Sequence, residues 1–186
     1  MRAALDLAEE QGVRAATFNA IGERAGYSRG LASQHFGSKR GLIAAVIEHL
    51  HAEMEENVRS VIENEALSGF DALEGYVEAT FRAFRAANTY RAYFTFLSGA
   101  VAEKSALLPL FEESHQRVKR SIAELIERGR VDGGVDPGAD PEAGALLVGS
   151  LLMGVSIQSL IDPKLDLEAM ERQAKAILCA GFRARK

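Results

Sequence analysis

At 186 residues, 47% hydrophobic and 26% charged, the chain has the composition of a folded globular protein, with room for one sizeable core or two small ones. Its net charge of −4 argues against non-specific nucleic-acid binding over the whole surface, and no apolar run near the roughly 18 residues of a membrane span is expected. A single cysteine, Cys179, excludes an intrachain disulfide and a Cys-rich zinc site, and a reducing cytoplasm is the simple reading.

No segment sustains strand alternation, so an all-α chain of about nine amphipathic helices is predicted. The first is expected from about Met1 to Gln11, with Ala4, Leu5, Leu7 and Ala8 apolar and Gly12 as its stop. Its acidic, amphipathic pattern is that of neither a signal nor a transit peptide. Thr17 is placed to cap the second helix, which ends at Gly26, and Ser28 to cap the third, which ends near His35. Ser38 caps a long fourth helix running into the 60s, with an apolar stripe of Leu42, Ala45, Val46, His49, Leu50, Met54, Val58, Val61 and Ile62. A break at Leu67-Ser68-Gly69 precedes a fifth helix to about Ala87, and Asn88 or Thr89 can cap a sixth ending near Glu103. The seventh runs from about Leu107, with Pro109 tolerable in its first turn, to Gly129. The Gly/Pro-rich loop VDGGVDPGADP then leads to an eighth helix, Pro141 to Ile161, and Asp162-Pro163 separates it from a ninth that starts at about Asp166. There is no internal repeat or low-complexity tract.

The segment from Thr17 to Leu42 carries the functional signal. Two short helices joined through Gly26, which can take the left-handed conformation a tight turn needs, have the grammar of a helix-turn-helix. In that motif the N-terminal residues of the second helix enter the major groove; here they are Ser28, Arg29, Gly30, Ser33 and Gln34. Arg pairs with guanine, Gln with adenine, and Ser with phosphate or either base edge. Arg29, Lys39 and Arg40 stand in first turns of helices, where cations oppose the helix dipole unless an anion is bound there. Residues 1–47 carry six cations against four carboxylates, a net +2 that leaves −6 on the remainder, which suits a DNA-facing head on an acidic body.

The run from Thr17 through Ala25-Gly26-Tyr27-Ser28 to His35-Phe36-Gly37-Ser38-Lys39, with MRAALDLAEEQGVRAAT before it, resembles the DNA-binding head of TetR/AcrR-type transcriptional regulators. The resemblance implies that Thr17 and Lys39 hold phosphates, that residues 28–35, His35 included, form the recognition helix, and that Phe36 packs beneath it. Members usually carry an aromatic where this chain has Ser33 and a larger aliphatic where it has Ala32, and many have a short basic arm before the first helix. The resemblance further implies a DNA-binding domain over 1–47 and a ligand-binding and dimerisation domain over 48–186.

In the body the aromatics cluster between Phe70 and Phe111. They suit a plain core or an apolar ligand cavity. Candidates for ligand contact are Phe81, Phe84, Tyr90, Tyr93, Phe94, Phe111, His115 and Gln158. The eighth helix is apolar over most of its circumference, so it must be covered on several sides, and Gly149, Ser150 and Gly154 allow close approach of another helix. By the resemblance, the last two helices form a four-helix dimer interface, for which Gly149, Leu152, Met153, Ile157 and Ile177 are candidates. Two heads about 34 Å apart would then read the halves of a palindrome.

No catalytic or metal constellation emerges. His49 and His51, two apart on a helix, do not share a face, and His115 has no triad around it. Cys179 suits a packed small hydrophobe. The expectation is a homodimeric regulator, most often a repressor in this family, that binds a palindromic operator and a small apolar or amphipathic effector, with no cofactor, no enzymatic activity and no membrane. The rival readings are an all-helical binding or scaffold protein whose head has lost operator affinity, and an enzyme hosted in the cavity.

Overall fold

The computed structural model describes residues 3, 4, 6, 7, 17–26, 29–86 and 89–184, and every regular element among them is a helix. Eight have described bounds: α1 (Phe18–Ala25), α2 (Arg29–Phe36), α3 (Lys39–Ile62), α4 (Gly69–Ala86), α5 (Thr89–Ala102), α6 (Leu108–Asp132), α7 (Pro141–Ile161) and α8 (Leu167–Phe182). Ala3, Ala4, Asp6 and Leu7, where the first helix is expected, are helical too. The described residues form two compact units, one from 1–53 and 88–114, the other from 54–87 and 115–186. Helix α5 and the turn after it therefore belong with the N-terminal helices.

Caps set the boundaries. The Thr17 hydroxyl accepts from the Ala20 N–H at 3.2 Å, and Gly26, at φ 73, closes α1. Gly37, at φ 68, ends α2, and the Ser38 hydroxyl then accepts from the Gly41 N–H at 3.0 Å to open α3. Ser68 opens α4 by accepting from the Asp71 N–H at 3.1 Å and donating to the Asp71 carboxylate at 2.7 Å, a reciprocal cap. Asp140 and Asp166 cap α7 and α8 in the same manner as Thr17.

In the first unit Ile21, Leu42, Val46, Ile47, Leu50, His51, Tyr93, Phe96 and Phe111 are buried. The buried face of α3 thus includes Ile47 and His51, whereas Ala45 and His49, expected in the stripe, are only half-buried. His49 lies 3.6 Å from the Glu53 carboxylate, one turn further along the partly exposed side.

The second unit has a continuous core of Phe70, Leu73, Val77, Phe81, Ile122, Leu125, Ile126, Val148, Leu152 and Leu178, contributed by α4, α6, α7 and α8. Helix α6 does not stop at Gly129 as expected. It continues to Asp132, and Gly129 serves instead as a close crossing, where a Cβ would meet the Val135 side chain at 2.4 Å. The Gly/Pro-rich loop is pinned rather than loose. Val135 is fully buried, the Asp136 N–H donates to the Phe182 carbonyl at 2.8 Å, the Ala184 N–H donates to the Gly134 carbonyl at 3.2 Å, and the Arg183 guanidinium lies 5.0 Å over the Phe70 ring.

Helix α7 corrects one expectation. Its 21 residues are long and apolar enough to cross a membrane by length and composition, and 28% of the apolar stretch is buried within the chain. Gly144, Ala145, Val148, Leu152 and Ser156 face the core, which shows why the run is apolar: it covers a core on one side and leaves aliphatic surface on the other.

Candidate nucleic-acid interface

Helix α1 packs against α2, and Gly26 allows the chain to turn between them in its left-handed conformation. Of the residues expected to face DNA, Thr17, Gly30, Gln34 and Lys39 are exposed and Ser33 is half-buried. Arg29 and His35 lie on α2, but their side chains, like Ser28 as a whole, fall outside the described residues. Phe36 is half-buried at the end of α2. Helix α3 opens with Lys39 and Arg40 and has no acidic residue in its first turn, so its amide dipoles and two cations present positive potential together.

Sequence reasoning missed a contact that departs from this end. The Arg40 guanidinium donates to the Ala106 carbonyl at 3.3 Å, across 66 residues of sequence but within the first unit. Nothing in the pattern of charges marks it, because its acceptor is a main-chain oxygen.

The aromatic candidates divide between the units. In the first, Tyr93 is central. Its ring centroid is 5.3 Å from Phe94, 5.6 Å from Phe111 and 5.7 Å from His51, and His51 is 5.5 Å from Phe111. These tilted and edge-to-face arrangements are favourable aromatic pairings. Burial pushes the Tyr93 hydroxyl up to about 12. Tyr90 is buried beside the cluster in sequence, and the Thr89 hydroxyl donates to the Glu53 carboxylate at 3.1 Å. His51 was not expected here; the i, i+4 step from Ile47 was the signal that could have placed it on the buried face.

In the second unit the Phe81 and Phe84 rings lie 5.5 Å apart, with Phe81 fully buried in the core. His115 and Gln158, expected as polar groups of a cavity, are both exposed. Interior polarity comes instead from Tyr76, Thr80 and Ser156, and the Thr80 hydroxyl donates to the Tyr76 carbonyl at 2.8 Å. Burial, and then the nearby Glu55 carboxylate, push the Tyr76 hydroxyl up to about 12. Glu55 accepts from the Arg117 Nε at 2.9 Å.

The dimer candidates also separate. Leu152 is buried in the core of its own chain and is not a surface residue. Gly149 and Met153 are half-buried, and Ile157 and Ile177 are exposed. Leu146, Leu147 and Ile161, not singled out in the sequence, are exposed at 61%, 67% and 72% and extend the aliphatic face of α7. No group of three or more His, Cys, Asp or Glu among the described residues could hold a metal ion.

Residues 1–46 match the family described as bacterial regulatory proteins, tetR family, and residues 70–182 match the BetI-type transcriptional repressor C-terminal family. A comparison with curated proteins found no match. Among solved structures, SmeT, the repressor of the Stenotrophomonas maltophilia multidrug efflux pump SmeDEF, superposes with a TM-score of 0.79 at 22% identity, over 98% of this chain and 87% of that one. The fatty acid degradation regulator FadR from Bacillus halodurans superposes at 0.80 with 20% identity, over 99% and 94% of the two chains. A transcriptional regulator from Saccharomonospora viridis in complex with choline does so at 0.79 with 17% identity, over 99% and 95%.

Proposed function

Because the chain belongs to the TetR family of bacterial regulatory proteins, we propose that it is a homodimeric repressor released from a palindromic operator by a small apolar or amphipathic molecule. The observation that carries this reading is the exposed edge formed by Gly30 and Gln34 of α2 and Lys39 of α3. It offers a base-reading amide next to a phosphate-binding helix end, the division of labour by which proteins read duplex DNA. In this reading residues 1–47 dock on DNA, with Thr17, Ser28, Arg29, Ser33 and His35 completing the contact, and residues 48–186 bind effector and partner subunit in the cytoplasm.

Two sets of side chains are candidates for effector contact. One is Tyr93, Phe94 and Phe111, of which Tyr93 and Phe111 lie against His51, with Tyr90 nearby in sequence, in the first unit. The other is Phe81 and Phe84 in the second, with His115 and Gln158 as its exposed polar candidates. The ligands of neighbouring structures, choline in one and triclosan in a complex of SmeT, support a body that takes small organic molecules. Release is allosteric: a ligand that binds better to the conformation unfit for DNA shifts the population toward it, and α3, unbroken from Lys39 to Ile62, is the lever. The aliphatic face of α7 with Ile177 of α8 supplies the two-fold contact.

A gel-shift titration of the full chain against DNA upstream of its gene, at several salt concentrations, tests the proposal. A sequence-specific complex is expected. No specific complex even at low salt would leave an all-helical binding or scaffold protein as the better reading.

A further inference from the structure

Helix α5 is fastened to α3 at both of its ends. At its start the Thr89 hydroxyl donates to Glu53, and Tyr93 lies against His51. Beyond its far end the Ala106 carbonyl receives the Arg40 guanidinium. Arg40 and Glu53 stand about 20 Å apart along α3 at the rise of an α-helix, and α5 covers a similar length in the opposite direction. The far anchor is stiff. The Lys104 N–H donates to the Val101 carbonyl at 3.3 Å and the Ser105 N–H to the Ala100 carbonyl at 2.9 Å, with Lys104 left-handed at φ 46. That pair of bonds is the Schellman closure of a helix, in which a fixed turn presents its next carbonyls in one direction. The Leu107 N–H to the Ser105 hydroxyl, at 3.2 Å, ties the turn down on the other side of Ala106.

Resting on the DNA-docking reading above, we infer that Arg40 is a positioning residue for operator binding and not one of its phosphate ligands. One Nη of its guanidinium donates to the Ala106 carbonyl. In doing so it sets the direction of the first turn of α3, the turn that carries Lys39 and the exposed amides. The partner of this contact is a main-chain oxygen on a capped turn, so the position of α5 is read out directly at the phosphate-binding end of α3. Lys39 supplies the charge, and Arg40 supplies its aim.

The two roles differ in salt dependence, because each phosphate contact adds about 0.9 to the slope of log affinity against log salt, and a positioning residue adds none. The experiment uses the full-length chain and a duplex selected by the wild-type protein from a random-sequence library. Arg40→Ala is expected to bind that duplex about three- to tenfold more weakly, the effect of one exposed hydrogen bond, with the wild-type salt slope. Hydrogen exchange at the amides of Ser105 to Leu108 is expected to accelerate severalfold. Arg40→Lys keeps the charge and is expected to show the same slope with intermediate affinity and exchange; should Arg40→Ala fail to fold, Arg40→Gln, which also removes the charge, decides by the same two measurements. A slope reduced by about 0.9 with unchanged exchange in the turn would make Arg40 a phosphate ligand and overturn the inference. Unchanged affinity would overturn it as well. If the wild-type protein enriches no duplex, the DNA-docking reading is what fails, and exchange in the turn still shows whether the tether exists.

Discussion

Gly69 and Gly129 cross so closely that a Cβ on Gly69 would stand 2.0 Å from the Gly129 nitrogen and 2.6 Å from the Leu125 carbonyl oxygen. The same Gly69 donates its N–H to the Asp132 carboxylate at 2.6 Å, so the start of α4 is held against the last turns of α6 by main chain and cap together. The obstructing atoms are backbone and have no rotamer to move into. Gly69→Ala is therefore expected to destabilise the fold by about 3 kcal/mol or more, the upper end of overpacking. Urea unfolding would show it as a lower midpoint at an unchanged m-value. A midpoint equal to wild type would disprove so close a crossing.

Alkaline stability follows from two buried phenols. Tyr76 and Tyr93 are both held at about 12, above their ordinary value near 10, chiefly by burial. Above pH 10 the unfolded chain loses protons that the folded chain still holds, so stability falls between pH 10 and 12. Each tyrosine is expected to contribute a loss of about 2–3 kcal/mol. Tyr76→Phe should remove its share of that slope and leave the share of Tyr93, which urea midpoints taken across this pH range would reveal. Identical alkaline slopes in the variant and the wild type would contradict the burial of the Tyr76 hydroxyl.

The docking edge makes separable predictions for Gln34 and Lys39. Lys39→Ala should weaken binding to all duplexes alike and lower the salt slope by about 0.9, as for one lost phosphate. Gln34→Ala should leave the slope in place and relax preference at one base pair, by about 1–3 kcal/mol. Fluorescence anisotropy on a set of single-substituted duplexes distinguishes the two patterns. If they were exchanged, the orientation of α2 in the groove would have to be reversed.

In the proposed dimer, self-association rests on the exposed face of α7. Leu147→Glu or Ile161→Glu introduces a charge at both copies of a two-fold contact and is expected to cost about 3 kcal/mol or more of dimer stability. Sedimentation velocity should then show monomer, with helical circular dichroism unchanged. Val131, exposed at 81% on α6, is the control: Val131→Glu should remain dimeric. A monomeric control variant, or a dimeric Ile161→Glu, would move the interface elsewhere.

Much of this was legible before the structure, for a physical reason. Thr17, Gly26 and Ser38 act within a few residues of themselves, so capping chemistry reveals them directly. The helix–glycine–helix turn at Gly26 belongs to the same class, since its spacing is local. What stayed hidden depends on partners distant in sequence. Gly129 read as a helix stop because its crossing with Gly69 could not be foreseen. Leu152 and Ile157 looked alike on an apolar helix, yet one is in the core and the other on the surface. His115 and Gln158 had suitable chemistry but face outward, and His51, dismissed with its neighbour as a metal pair, is one of the buried rings. Periodicity tells which residues are apolar, not which of two apolar sides is already covered.

The fastening of the Gly/Pro-rich loop to residues 182–184 sets the order in which the second unit can be completed during synthesis. Gly134 and Asp136 find their partners about fifty residues later, so Val135 and Phe70 wait uncovered while α7 and α8 are made. A nascent chain halted before Phe182 holds most of the core side chains but not the buckle that shuts them in. Such a chain should be cleaved quickly at the loop, which in the finished protein is held by the burial of Val135 and by its bonds to residues 182–184; the same glycines and prolines that look like an invitation to proteases become a seam closed last.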